Sequence, residues 1–398
     1  MSQTRAIFSF SSVSFLASTM TTNQQALRRL PLLTEINIYI FTLTFAILHV
    51  VLQPTGLEPI VASVCFGNLF GLILPYLAII ASFVHIFIRP CLEFCLYAGA
   101  YESIVLEYKY VWIVCVLLIN MVVAITDTSH RAVEGADYRY NRSRYLDDAA
   151  GKFWDSCEDY ITTTVVPWKE NATLDPKRQY IFACHPHGIH CTPLGQFHCK
   201  GTPFDKRFPG ICDNKLSGLA ASIVFKLPGV REFFLSLNYI DASRAVVEDA
   251  LEAHRSLVIC TGSGEESLLT KRGEDVLVLS RRRGFVRMAL MYGCDIVPIF
   301  GIGNSDLFAT YSWAMDFRMW MQKKLHISIP IFHGRYLTPL PYKVPIQVLV
   351  GEPLKVPEPK VRGEKPDDAT VDSYLKKYIE RVKDMHKQHT TDRKLTIR

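Results

Sequence analysis

The sequence predicts an α/β protein, a mostly parallel sheet covered by helices, with an N-terminal helical membrane anchor. Three observations carry this prediction. From Ile36 to Ile88 the only charged residue is Glu58, a density of apolar residues that a soluble surface does not show. From Asp127 onward the composition turns mixed polar, and short apolar runs alternate with helical patterns, as in a parallel sheet with covering helices. The chain has 398 residues, 49% of them hydrophobic, enough for one or two domains with a real core.

Residues 1–34 hold Arg5, Arg28 and Arg29 and no acid. They read as a cytosolic tail flanking a membrane anchor, with an organelle-targeting peptide as the alternative. Residues 35–126 form the membrane-embedded region. Ile36–Leu52 is just long enough to cross a bilayer, and Pro59–Ile88 is longer than one crossing needs and contains Pro75. Tyr110–Thr126 is marginal, at roughly the minimum length. In hydrocarbon each peptide group must be bonded internally, so these stretches are helical. The turn Gln53-Pro54-Thr55-Gly56 carries no Lys or Arg and Arg89 follows the second stretch; this predicts a hairpin with both ends cytosolic. The third stretch is then interfacial or re-entrant.

Residues 127–365 make the α/β domain. Tyr180–Cys184, Leu257–Thr261, Val276–Leu279, Ile296–Phe300 and Ile346–Val350 read as strands. Ser243 is placed to cap a helix whose apolar face holds Val247, Ala250, Leu251 and His254. Phe285, Met288, Ala289 and Tyr292 share one face of a second helix, Gly284–Tyr292. Residues 366–398 are an amphipathic helix and tail, with a stripe through Val371, Tyr374, Leu375, Tyr378, Ile379, Val382 and Met385 that can pack on the domain or lie on a membrane.

Charge and cysteine content exclude some classes. The net charge of +6 is mild, and no basic run is interleaved with aromatics as in a nucleic-acid groove. The 11 cysteines include no Cys-x-x-Cys pair and read as reduced thiols. Asn141-Arg142-Ser143 and Asn171-Ala172-Thr173 match glycosylation spacing, which matters only if that region faces a lumen.

The chemistry concentrates in Tyr180-Ile-Phe-Ala-Cys-His-Pro-His-Gly-Ile-His-Cys191. A strand runs into His185-Pro186-His187-Gly188, and the carboxyl ends of parallel strands open into a crevice. A histidine there can take a proton from an alcohol at neutral pH. Other readings stand beside this one. The histidines can be structural. His185-x-His187-x-x-His190 also approaches the spacing of a binuclear metal site, but Ile189 stands where that site needs Asp, so no metal is expected. Cys184 or Cys191 can serve as a nucleophile paired with a histidine, although free cysteine is commonly a small buried hydrophobe.

The His-Pro-His-Gly run resembles the signature of the type-2 diacylglycerol acyltransferases and their monoacylglycerol and wax-alcohol relatives. Further motifs follow in that family's order: Pro228-Gly-Val-Arg-Glu-Phe-Phe234, Thr261-Gly-Ser-Gly-Glu-Glu-Ser-Leu268, Arg282-Arg-Gly-Phe285, Asp295-Ile-Val-Pro-Ile-Phe-Gly301, Gly334-Arg335, Pro341-Tyr342 and Val350-Gly-Glu-Pro-Leu354. The resemblance covers roughly residues 175 to 390. It departs at Ser263, where the family's turn has a second glycine, and at the doubled acid Glu265-Glu266. It implies a glycerolipid-acyltransferase-like fold and transfer of a fatty-acyl group from acyl-CoA, as co-substrate and with no cofactor, to diacylglycerol. It further implies a multi-pass endoplasmic-reticulum protein with its catalytic domain facing the cytosol and access to lipid droplets. Its expected partners are acyl-CoA, the lipid alcohol and membrane lipids, with a homo-oligomer left open.

Within that frame His187 is the expected base, because it borders Gly188, and His185 fixes geometry or substitutes. Glu266 is the expected acid partner of the histidine, or else a first-turn acid favouring a helix dipole. Gly262 and Gly264 offer amides for an anion or for the oxygen of a tetrahedral state, or simply a tight turn. Arg281, Arg282 and Arg283 sit at a helix start, where cations oppose the dipole, as suits binding of the CoA phosphates. Anionic headgroups or a solvated charge run are the alternatives. Arg335 rests on the resemblance alone. Phe233-Phe234 can line an acyl channel or pack in a core. Two rival functions remain: a metal- or cysteine-dependent lipid esterase, and a non-catalytic membrane scaffold.

Overall fold

The computed structural model describes residues 32–67, 73–78, 80, 109–126, 144–197, 202–212, 216–390 and 392–398. Most of the expected N-terminal tail, most of Pro59–Ile88 beyond Gly67, the onset of the polar domain at Asp127 and the Asn141 acceptor pattern lie outside those residues. In chain order the elements are α1 (Leu32–Leu52), α2 (Glu58–Gly67), α3 (Lys109–Thr126), α4 (Arg144–Tyr160), β1 (Thr163–Pro167), β2 (Tyr180–His185) and α5 (Thr192–Gly195). Next come β3 (Leu216–Ala220), α6 (Val230–Ser236), β4 (Tyr239–Asp241), α7 (Arg244–Glu252), β5 (Ser256–Cys260), α8 (Ser263–Leu269) and β6 (Glu274–Leu277). Then follow α9 (Gly284–Tyr292), β7 (Asp295–Ile302), β8 (Ala309–Thr310), β9 (Phe332–His333), β10 (Ile346–Val350), α10 (Asp368–His389) and β11 (Lys394–Ile397), and further helical segments form at Pro203–Arg207 and Met315–Leu325.

Seven strands form the main sheet in the order β1-β10-β7-β2-β5-β3-β4. Every neighbouring pair is parallel except β10 with β7, so the sheet is mostly parallel, as expected. The central strand β2 is buried along its whole length. Ile181 and Ala183 face one apolar cluster, and Tyr180, Phe182 and Cys184 face another, which explains why its sequence does not alternate. Helices α7, α9 and α10 cover the first face. The second holds an aromatic cluster with Phe182, Phe197, Phe204 and Phe208.

Some expectations need correction. The strand expected at Val276–Leu279 forms at Glu274–Leu277 and leaves the main sheet, pairing in parallel with β11. The strand at Ile346–Val350 is real but runs antiparallel to β7; a hydrophobic run carries no direction. Helix α7 buries Val246, Val247, Ala250 and Leu251, but it ends before His254, which turns back at φ 55°. Ser243 occupies the cap position without a side-chain cap bond, and its own amide donates to Asp241 Oδ1 at 2.7 Å.

The stripe on α10 packs on the domain: Val371, Leu375, Tyr378, Val382 and Met385 are buried in the sheet-covering cluster, while Tyr374 and Ile379, at its edges, are only partly buried against it. Among the described residues one helix is long and apolar enough to cross a bilayer, over Ile36–Thr55. It is not isolated from the domain. Phe41 and Phe45 of α1 lie among Phe153 and Trp154 of α4 and Phe233 of α6, with ring centroids 4.6 to 6.3 Å apart. Arg231, fully buried, bonds Glu232 at 3.1 Å and Thr34 of α1 at 3.3 Å. The Pro-Gly-Val-Arg-Glu motif is therefore a joint: Gly229 takes φ 83° to start α6, and Glu232 Oε2 accepts the Gly229 amide at 2.6 Å.

Candidate active site

Strand β2 delivers His185 as its last residue, and the loop after it carries His187. The two rings have different surroundings. His185 is fully buried. Its Nε2 lies 2.9 Å from the Tyr378 hydroxyl of α10, and its Nδ1 lies 3.3 Å from the Thr261 hydroxyl. Burial pulls its pKa down to about 4, so the ring is neutral and occupied on both sides. His187 is only partly buried, and its Nδ1 lies 2.9 Å from the Gly188 carbonyl oxygen. A carbonyl can only accept, so Nδ1 carries the hydrogen and Nε2 keeps its lone pair. That is the tautomer a general base requires.

The loop is held from below. Glu266, fully buried on α8, accepts the His187 amide at 2.7 Å with Oε2 and the Val278 amide at 2.8 Å with Oε1. The expected acid therefore does reach the histidine loop, but through the main-chain amide of His187. Burial pushes its carboxyl up to about 8, against the pull of the two amides. Gly262 stands directly beneath this carboxyl, and a Cβ there would overlap it. Gly188 takes φ 61°, and a Cβ on it would come 2.6 Å from Asn304 Nδ2. Asn304 then completes the loop, donating to the Pro186 carbonyl at 3.0 Å and the His187 carbonyl at 3.3 Å and accepting the Thr192 amide at 3.1 Å.

The other expected site residues are placed as follows. Gly264 packs against Ser328, away from the loop contacts. Ser263, in the position where the resembled family has glycine, adopts φ 53°, the left-handed region that glycine enters without penalty. Arg281 and Arg282 both engage Glu265, and Arg282 also bonds the Gly262 carbonyl at 3.2 Å and the Ser263 hydroxyl at 3.3 Å. Arg283 pairs with Asp372 of α10 at 2.7 Å. All three arginines thus answer carboxylates of the chain itself and lock the α8 turn and α10 to the start of α9. Arg335 bonds the hydroxyls of Tyr160 at 3.3 Å and Tyr336 at 3.1 Å. Phe233 lines a cavity of about 70 Å³ together with Trp154 and Thr192, whereas Phe234 packs on Tyr239 at 4.8 Å.

Two alternatives meet the geometry differently. Cys184 and Cys191 are both buried; burial pushes the Cys184 thiol well up, which opposes a nucleophilic thiolate there, whereas at Cys191 the upward push of burial is outweighed by hydrogen bonds with Cys184 and Cys260 and by the nearby His187 and His190, which hold that thiol well below its ordinary value. Among the described residues no group of three or more His, Cys, Asp or Glu side chains is placed to hold a metal ion. Sequence reasoning missed Asn304, Tyr378 and Thr192. Asn304 and Tyr378 reach the site across more than a hundred residues of chain, so no local spacing announces them.

The partly buried His187 imidazole, its Nδ1 against the Gly188 carbonyl, thus sits just past the end of β2 in a mostly parallel sheet. A family model described as diacylglycerol acyltransferase matches residues 104–397, and the chain belongs to that family. Cattle diacylglycerol O-acyltransferase 2 is 30% identical over 313 residues, 74% of this chain and 81% of that protein. Diacylglycerol O-acyltransferase 2B of Umbelopsis ramanniana is 31% identical over 59% of this chain and 70% of its own length. Mouse acyl-CoA wax alcohol acyltransferase 2 is 32% identical over 60% and 73%. No solved structure matches.

Proposed function

We propose that the protein esterifies diacylglycerol with a fatty-acyl group from acyl-CoA, giving triacylglycerol, and that His187 is the base. Nε2 of His187 takes the proton of the acceptor hydroxyl. The oxygen attacks the thioester carbonyl, a tetrahedral intermediate forms, and its collapse breaks the carbon–sulfur bond. The leaving CoA sulfur takes the proton back, so the imidazole ends as it began. The reaction needs no cofactor beyond the acyl-CoA co-substrate. His185 is a positioning residue that ties β2 to α10, and Glu266 fixes the height of the His187 amide. The apolar helix over Ile36–Thr55 supports membrane attachment; in this reading the protein sits in the endoplasmic-reticulum membrane, multi-pass, with the catalytic domain in the cytosol. Lipid droplets are then within reach of its product.

The observation that carries this reading is the 2.9 Å contact between His187 Nδ1 and the Gly188 carbonyl, which leaves Nε2 as the basic nitrogen. Membranes containing the protein are supplied with labelled acyl-CoA and diacylglycerol, monoacylglycerol or a long-chain alcohol, and products are resolved by lipid class. Transfer to diacylglycerol should fall by about 10²- to 10⁴-fold in His187→Ala, while membrane insertion is unchanged. Activity retained in that variant would remove His187 from the mechanism.

A further inference from the structure

Thr192 Oγ1 is buried and has no hydrogen-bond partner among the described residues, and the residue is only 7% exposed. A buried hydroxyl left unanswered is uncommon and calls for a partner that arrives from outside. Thr192 lines the cavity that also involves Trp154, Phe233, Glu158 and Gln196. The volume of about 70 Å³ has room for several water molecules, at roughly 10–15 Å³ of such space each. That is the scale of a three-carbon polyol head.

The cavity is on the reacting side of the sheet. Strand β7 ends at Ile302 opposite Gln347, and Gln347 pairs with Thr164. His185 pairs with Phe300. Thr163, another residue of the cavity wall, therefore lies at the same rim as the end of β2. A direct linkage exists as well: the Thr192 amide donates to Asn304 Oδ1, while Asn304 Nδ2 holds the carbonyls of Pro186 and His187. One asparagine thus joins the cavity wall to the histidine loop.

The wall has two characters. Trp154, Phe233 and Leu237 are apolar, and the first two pack on the rings of α1. Opposed to them are the Thr192 hydroxyl, the Gln196 carboxamide and the Glu158 carboxylate, the last two joined at 2.9 Å. Asp155 and Glu158 also make the wall acidic, unfavourable for a phosphate-bearing lipid.

We propose that this cavity binds the glyceryl group of an uncharged glyceride acceptor, with Thr192 Oγ1 donating to an ester or hydroxyl oxygen beside the reacting hydroxyl. The inference rests on the acyl-transfer reading and adds to it the residues that choose the acceptor. A long-chain alcohol has a single oxygen, which goes to His187, and leaves Thr192 unanswered. A site built to hydrogen-bond a substrate oxygen discriminates against an analogue lacking it.

The test is Thr192→Val, which keeps the shape and removes the hydroxyl, with Thr192→Ser as the restoring variant. Initial rates are measured on one membrane preparation with diacylglycerol and with a long-chain alcohol, so that their ratio cancels any loss of folded enzyme. The ratio of glyceride to alcohol kcat/KM should fall about 10-fold in Thr192→Val, mainly through KM, and recover in Thr192→Ser. An unchanged ratio, or an equal loss for both acceptors, overturns the assignment while leaving acyl transfer standing. A wild-type protein that esterifies neither acceptor overturns the acyl-transfer reading and the cavity assignment with it.

Discussion

Replacing Gly188 by Ala tests the histidine loop most directly. Two costs can be worked from the geometry. At φ 61° an L side chain is disfavoured by about 1–2 kcal/mol. The new Cβ would lie 2.6 Å from Asn304 Nδ2, so Asn304 must withdraw from the Pro186 and His187 carbonyls, at about 1 kcal/mol for each hydrogen bond. The expected sum is about 3 kcal/mol, or a Tm lower by about 6–12 °C at the usual ~2–4 °C per kcal/mol for a domain of this size. Activity should fall further than stability, because the Gly188 carbonyl that fixes the His187 tautomer moves with the loop. A cycle with Asn304→Ala separates the terms. If the clash is the mechanism, the double variant is less damaged than the sum of the singles by about 1–2 kcal/mol. The assay pairs melting in detergent with labelled acyl transfer. Additive losses, or a Gly188→Ala protein with wild-type melting and rate, would refute the account.

Ser263→Gly releases φ 53° from a left-handed penalty of about 1–2 kcal/mol but gives up the Arg282 bond to the serine hydroxyl, about 1 kcal/mol, so melting should change by less than about 1 kcal/mol; a clear loss would mean that the serine hydroxyl matters more than the backbone. Tyr378→Phe removes the bonds to His185 Nε2 and the Ala183 carbonyl. It should lower stability by about 1–2 kcal/mol and cost far less rate than His187→Ala, which kinetics and melting together would check. The buried ionisable groups also make stability depend on pH. Glu266 titrates near 8 in the fold, above its unfolded value, so its contribution declines as pH rises from about 4.5 to 8. His185 and His190 titrate near 4, below their unfolded value, so each withdraws stability as pH falls from about 6.5 to 4. Together the three place a maximum near pH 6.5, and Glu266→Gln should flatten the alkaline limb. Melts from pH 5 to 8.5 showing the same alkaline slope in both proteins would contradict the assignment.

The fold was legible wherever the local signal matched the environment. Strand β2, buried on both faces, shows as an unbroken apolar run, and α9 forms over the stretch its apolar spacing predicts. Strand β3 was missed because Leu216-Ser-Gly-Leu-Ala220 has little strand character; its Gly218 is needed because the Tyr239 ring of β4 lies where a side chain would go. Strand direction and partner were equally hidden: β10 turns antiparallel and β6 leaves the main sheet for β11. At the site, His185, His187, Gly188, Gly262 and Glu266 do converge, since strand ends and glycines mark them. What Glu266 touches was not legible, because a carboxylate can hold a loop by its amide as well as by its ring. The three arginines looked unpartnered only because Glu265 and Asp372 lie elsewhere in the chain.

The rings that join Phe41 and Phe45 to Trp154 and Phe233 have a consequence for engineering. The first apolar helix is part of the domain's own packing, because its side chains support the wall of the cavity lined by Trp154 and Phe233. Exchanging it for an unrelated apolar segment would leave that wall without backing, so domain transplants should cut upstream of Leu32 instead of downstream of Leu52.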